Sequence, residues 1–277
     1  MGEIDLHVHT TASDSTAAPA EMVREAAELG LKAVAVTDHD TMAGVPEAEE
    51  AGSRLGVEIV PGMEISTKYT RSIHILGYYI DRNSEIIRKF HADQVLDRDT
   101  RNERVVKLMN EDGIDITYAE MKQRFGEVVG RPHFAEILIE NGLSVSTQDA
   151  FDRYLDKGQK YWLPRSYISI GDSVELIRKA GGVPVIAHPF EYKFDDGMLR
   201  ELITLCLDHG LMGMECRYSG YTPGQTAYLE KLAEEYNLIK TGGSDFHGTR
   251  KTRNNLGTGS GDLNVPYEWL QAMKSAL

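Results

Sequence analysis

The chain has 277 residues, 41% of them hydrophobic and 26% charged, with a net charge of −13. This composition excludes disordered, collagenous and fibrous chains, and no run approaches the ~18 apolar residues of a membrane span. Such an acidic surface repels long nucleic acid, although a single positive pocket can still take a small phosphorylated molecule.

In chain order, the first third alternates strands and helices. Strands are expected at Ile4–His9, Lys32–Thr37, Val57–Val60 and Ser72–Tyr79, and helices at Pro19–Leu29 and Val45–Leu55. That alternation implies βαβ units and a parallel sheet. From about Ser84 the text becomes charged and helical with no convincing buried strand, which reads as an inserted helical subdomain of about 80 residues over 83–164. The alternation then returns. Strands are expected at Val183–Ala187, Met212–Cys216 and Ile239–Ser244, and helices at Val174–Ala180, Leu199–His209, Thr226–Tyr236 and Tyr267–Ala276. The start, MGEIDLHVHT, lacks the basic and apolar segments of a signal peptide, so a cytoplasmic protein is expected. The two cysteines, Cys206 and Cys216, form no disulfide framework.

Chemistry-bearing residues gather in and at the ends of these strands. His7 and His9 lie two apart and share a strand face, with Asp5 expected to join them and Leu6 and Val8 to face the helices. Thr37-Asp38-His39-Asp40 ends the second strand, and Pro61-Gly62-Met63-Glu64 follows the third. His74 interrupts an apolar strand, Ala187-His188-Pro189 ends another, and Gly243-Ser244-Asp245-Phe246-His247 ends the last. Any one of these reads equally as a structural histidine or a helix cap. Six histidines together do not, because capping selects Ser, Thr, Asp and Asn. In parallel α/β sheets and barrels the strand C-termini converge on one site. A shell of imidazoles and carboxylates without thiolate suits Zn2+, Mn2+ or Fe2+. The sequence has no G-x-x-x-x-G-K-[ST], H-E-x-x-H or G-x-S-x-G motif, and Gly257-Thr258-Gly259-Ser260-Gly261 reads as a loop.

The ordered set DLHVHTTASD, AVTDHD, PGMEIS, IHILGY, GRPHFA, VIAHP and GGSDFH resembles the PHP (polymerase and histidinol phosphatase) family. It most resembles the stand-alone bacterial branch that includes nucleoside 3′,5′-bisphosphate phosphatases and 5′–3′ exoribonucleases. The resemblance implies an α/β fold, a distorted seven-stranded β/α barrel formed by 1–82 and 165–277, capped by the helical insertion 83–164. It implies three divalent ions (Mn2+, Fe2+ or Zn2+). The first takes His7, His9, Glu64 and Asp245, the second Glu64, His74 and His188, and the third Asp14, His39 and His247. Asp245, His247 and His188 are expected to be catalytic as well as ligating. Asp5, Asp38 and Asp40 are expected to hold the remaining ring N–H groups of the ligating histidines.

The expected activity is hydrolysis of a small phosphorylated metabolite or nucleotide by a metal-bridging hydroxide, with a nucleoside bisphosphate favoured. Alternatives are a cyclic phosphodiesterase, a 5′–3′ exonuclease on short RNA, a histidinol phosphatase, a C–N amidohydrolase or a non-catalytic metal or phosphate sensor. In the insertion, Arg131 offers a phosphate fork and His133 a hydrogen bond or proton, or the pair simply starts a helix. Arg217 reads as a contact for a second phosphate or as a surface arginine. Tyr161 and Trp162 can stack a base or pack the hinge. Neither long nucleic acid nor a membrane is an expected partner, and no oligomeric state is implied.

Overall fold

The computed structural model describes residues 2–69, 72–126, 128–164 and 166–277. Its strands are β1 (Ile4–Val8), β2 (Ala33–Val36), β3 (Glu58–Lys68), β4 (Ser72–Tyr78), β5 (Ile168–Ser169), β6 (Val183–Ile186), β7 (Gly213–Tyr218) and β8 (Ile239–Gly243). They run in the order β1-β2-β3-β4-β6-β7-β8, with the two-residue β5 paired to β3. A bridge from Val8 to Phe246 brings the two edges together, so seven strands nearly close into a barrel. The sheet is mixed rather than parallel, since β4 runs antiparallel to both β3 and β6. β3 also continues well past Val60, which places Glu64 inside a strand rather than after one.

Alternation along the strands sorts the core into two layers. Ala33 and Ala35, Leu76 and Tyr78, and Val183 and Val185 share the interior cluster with Ile4 and Leu6. Val34, Val36, Ile73, Ile75 and Ile186 pack outward with residues of α1 (Pro19–Glu28), α2 (Val45–Leu55), α7 (Ile170–Lys179) and α8 (Asp196–Asp208). α9 (Pro223–Glu235) and α10 (Tyr267–Lys274) complete the helical coat.

Bulges in β1 and β7 break the alternation. In β1, Asp5 pairs with Val34 and Val8 with Val36, so three steps on one strand match two on the other. The extra residue puts Asp5 and Val8 on one side and His7 and His9 on the other. The expectation that Asp5 shares the histidine face is therefore corrected, and so is that for Leu6, which joins the barrel interior. A similar shift in β7 falls between Glu215 and Arg217.

Between β4 and β5 the chain is helical. This stretch comprises α3 (Glu85–Glu111), α4 (Tyr118–Phe125), α5 (Arg131–Glu140), α6 (Thr147–Ala150) and a π-helical turn at Phe151–Leu155. These elements have their own core around Val105, Met109, Met121, Phe134 and Leu138. The first turns of α3 belong elsewhere, because Ile87 and Phe90 pack in the barrel's outer layer. One long helix thus spans both cores and couples their positions.

Candidate metal centre

Nine side chains converge at the barrel mouth. His7 and His9 come from β1 and the residue after it, Asp14 from the following turn and His39 from the loop after β2. Glu64 and His74 sit inside β3 and β4, and His188, Asp245 and His247 follow β6 and β8. Three backbone bonds stitch these segments together: His9 N–H to Phe246 O (3.0 Å), Asp245 N–H to His7 O (2.8 Å) and Glu64 N–H to Asp38 O (3.1 Å). Gly243 permits the closest approach, since a Cβ there would lie 2.4 Å from His7 N. His188 and Asp245 have φ of 24° and 55°, and such strain in L-residues collects at functional sites.

Glu64 is the hub. Its Oε1 lies 2.8 Å from His74 Nδ1 and 2.9 Å from His188 Nε2. Its Oε2 lies 3.5, 3.3 and 3.1 Å from His7 Nε2, His9 Nε2 and His39 Nδ1. Asp245 Oδ1 lies 3.2 Å from His9 Nε2, and Asp14 Oδ1 lies 3.2 Å from His247 Nε2. The ligand atoms fall into four compact groups: His9, Asp14, His39 and His247; His7, His9 and Asp245; His7, Glu64 and His188; and His39, Glu64 and His74. In each group the atoms lie within 4.8 Å of one another.

The donor set fits a bound cation. His7 Nε2, His9 Nδ1 and Nε2, His39 Nδ1 and His188 Nδ1 are buried with no aligned hydrogen-bond partner among the described residues. Buried polar atoms are rarely left so, and a divalent ion would supply the partner that His7 Nε2, His9 Nε2 and His39 Nδ1, all beside Glu64 Oε2, lack. The electrostatics agree. Burial opposes charge on Glu64, Asp14 and Asp245, yet the surrounding imidazoles hold Glu64 and Asp14 well below the usual range, and the Lys251 ammonium followed by the imidazoles does the same for Asp245. Burial would also depress His9, but Asp245 and Glu64 raise it to about 9. Protons thus hold positions that a metal ion would take over, with proton release.

The carboxylates expected beside the histidines do other work. Asp5 accepts N–H bonds from His7 (3.2 Å), Ser244 (2.9 Å) and Gly257 (2.8 Å), so it fixes backbone and not an imidazole. Asp38 accepts from Thr10 N–H (2.8 Å), Thr10 Oγ1 (2.8 Å) and Ser13 Oγ (2.5 Å), shaping the turn that presents Asp14. Asp40 accepts from Ser66 N–H (2.9 Å) and from Arg98 on α3 (3.0 Å), a buried pair tying the insertion to the barrel.

The imidazole partner is Glu215, which the sequence reading missed. Its Oε1 lies 3.1 Å from His7 Nδ1, and its Oε2 accepts the His188 N–H at 2.7 Å. A lone carboxylate inside the strand text GMECRY was the available signal. Tyr218 OH and Lys251 Nζ, also unanticipated, each donate to Asp245 Oδ2 at 2.6 Å, which leaves Oδ1 facing the histidines.

The β7 bulge turns Arg217 outward. Its Nε donates to Glu230 at 2.8 Å and its guanidinium lies 4.6 Å from the Trp269 ring centre, so its expected phosphate contact is corrected to a packing role. His133 is buried, stacks on Phe125, and its Nδ1 accepts the Gly130 N–H at 2.9 Å, which makes it the cap of α5. Arg131 does face the centre. It lines a recess of about 190 Å3 together with Asp14, His39 and His74.

A mixed barrel whose mouth gathers imidazoles and carboxylates defines a metal-dependent hydrolase, and comparison with known proteins supplies the family and with it the phosphoesterase class. Residues 5–170 match the PHP domain. The chain is 35% identical over 244 residues to a 5′-3′ exoribonuclease of Haemophilus influenzae, covering 88% of this chain and 89% of that protein. It is 30% identical over 257 residues to a 3′,5′-nucleoside bisphosphate phosphatase of Chromobacterium violaceum, covering 89% and 88%. A Bifidobacterium adolescentis protein, described as a candidate metal-dependent phosphoesterase, superposes with a TM-score of 0.86 at 31% identity over 99% of this chain and 96% of that one. The chain belongs to the PHP family. No helix among the described residues is long and apolar enough to cross a membrane.

Proposed function

We propose that this phosphoesterase hydrolyses a phosphate ester of a small nucleotide, with a nucleoside 3′,5′-bisphosphate as the preferred substrate. The observation that carries the reading is the recess at the metal centre, which Arg131 lines together with Asp14, His39 and His74. Among the described residues Arg131 has no carboxylate partner. Its guanidinium lies 5.6 Å from the Phe151 ring centre. A planar guanidinium beside a cationic centre is a phosphate fork.

Three ions are proposed, held by His7, His9, Glu64 and Asp245; by Glu64, His74 and His188; and by Asp14, His39 and His247. Divalent ions in such shells lower the pKa of water and neutralise phosphoryl charge. The chain's own part is orientation. Arg131 grips phosphoryl oxygens, Glu215 fixes the His7 ring, and Tyr218 and Lys251 restrict Asp245 to one free oxygen. In the reaction an oxygen from water bonds to phosphorus, the ester P–O bond breaks, and the departing alcohol takes up a proton.

The Mn2+-loaded protein should release phosphate from adenosine 3′,5′-bisphosphate faster than from p-nitrophenyl phosphate. Turnover of cyclic amides with none of phosphate esters would overturn the reading in favour of amidohydrolysis. Metal content by elemental analysis should be three per chain. Arg131→Ala should keep that content and lose roughly 10- to 150-fold in kcat/KM, the equivalent of one charged hydrogen bond of ~1.5–3 kcal/mol.

A further inference from the structure

Arg217 is engaged by Glu230 and Trp269, so a second anionic group on the substrate has to be held elsewhere at the metal centre. A hollow of about 650 Å3 opens beside the Arg131 recess. The two share Asp14, Pro132 and Phe151, and the hollow adds His247, Arg250 and Lys251. Its volume is that of a small-ligand site.

A turn after β8 carries both cations to it. Gly248, with φ of 62°, makes the turn, and a Cβ there would lie 2.1 Å from Thr16 Oγ1. Thr249 N–H donates to that hydroxyl at 2.8 Å, and Arg250 N–H donates to His247 O at 3.3 Å. The turn thus places the ligand His247 and the cations Arg250 and Lys251 on one wall.

Arg250 is held but only part used. Its side chain is 16% exposed, and its Nη1 pairs with Glu136 on α5. Its Nε is buried with no hydrogen-bond partner among the described residues. A guanidinium offers five donors in a planar fork, and a buried donor left without an acceptor is costly. An anionic oxygen in the hollow completes the fork. Of the carboxylates on the wall, Asp14 belongs to the metal centre, Glu136 is taken by Arg250, and Asp156 is exposed to water. Lys251 donates to Asp245 Oδ2 at 2.6 Å while its side chain stays 43% exposed, so one ammonium serves a buried carboxylate and the hollow together. A cation bound at Asp245 Oδ1 would leave the Lys251 charge to the hollow.

We infer that Arg250, with Lys251 beside it, is the specificity-determining residue that reads the second anionic group of the substrate. The inference rests on the phosphoesterase reading and gives it a direction. The phosphoryl group that reacts lies by Arg131, and the departing alcohol carries its own anion into the larger hollow.

Binding is measured with ligands that cannot turn over. By calorimetric titration, the Mn2+-loaded protein should bind the bisphosphonate analogue of adenosine 3′,5′-bisphosphate, whose P–C bonds resist hydrolysis, more tightly than either monophosphonate. Arg250→Ala should lower that preference roughly 10- to 150-fold, the range of one charge-assisted hydrogen bond. The same factor should appear in kcat/KM for adenosine 3′,5′-bisphosphate relative to the better of the two adenosine monophosphates. Arg250→Lys keeps the charge and loses the fork, so it should lose part of the preference, and it carries the test if Arg250→Ala does not fold. Glu136→Gln releases Arg250 without removing it, so the preference should hold or rise. A loss in Glu136→Gln equal to that in Arg250→Ala would make Arg250 a strut between insertion and barrel and overturn the inference. An unchanged preference in Arg250→Ala, or in Arg250→Lys where that variant stands in, would overturn it too. If the preference is lost in binding and the wild type hydrolyses no phosphate ester, the subsite stands and the phosphoesterase reading falls.

Discussion

Glu215 and Asp5 are both fully buried carboxylates near His7, and they act through different atoms. Glu215 faces the imidazole and the His188 backbone. Glu215→Gln keeps the shape but weakens the basicity it lends to the ring, so metal affinity should fall ~10- to 100-fold, read by calorimetric titration. Asp5 accepts three backbone N–H bonds. In Asp5→Asn one acceptor oxygen becomes an NH2 group facing a buried N–H. The expected result is a stability loss of ~1–3 kcal/mol in urea denaturation. A large change in metal affinity with unchanged stability would instead assign Asp5 to the imidazoles.

At the scale of elements, one-residue insertions in β1 and β7 decide which side chains reach the centre. The β1 bulge delivers His7 and His9, and the β7 bulge delivers Tyr218 while rotating Arg217 toward Glu230 and Trp269. The start of α5 is set by His133. Burial, aided by the nearby Arg250 charge, lowers its pKa to about 4, so the ring is neutral when folded. The unfolded chain binds that proton near pH 6.5. The stabilisation by neutral His133 is therefore complete above about pH 6.5 and lost as pH falls toward 4. His133→Ala should cost ~1 kcal/mol at pH 7, the worth of a helix cap, and its deficit against the wild type should shrink between pH 6 and 4. A deficit independent of pH would refute the neutral cap.

For the whole molecule, the buried imidazoles and carboxylates make metal binding part of folding. Ions bind the assembled mouth and have little affinity for the scattered ligands of the unfolded chain. Chelation with EDTA should therefore lower Tm, with a loss of ~2.7 kcal/mol relative to protein held at a hundred times the metal Kd. An unchanged Tm, with metal removal confirmed by elemental analysis, would show that packing alone holds the mouth together. The Asp40–Arg98 pair carries the same dependence into the insertion, since Asp40 also holds Ser66, two residues beyond Glu64.

Elements and candidate ligands were legible in the sequence for local reasons. Valine-rich runs bounded by Gly and Pro mark the strands, and His, Asp and Glu recur where those runs end. α2 is observed at its expected bounds, Val45–Leu55, because Pro46 and Gly56 punctuate it. Strand direction was not legible, as β4 reads the same forwards or backwards and only its pairing with β3 and β6 makes it antiparallel. Nor were the roles of Asp5, Glu215 and Arg217. A period of two assigns faces only while the register is unbroken, and a bulge exists only relative to the partner strand. The sequence by itself determined which residues can ligate and that most of them lie in or at the ends of strands. Tertiary structure decided which atoms meet, because a side chain's partner depends on the register and closure of strands far apart in the chain.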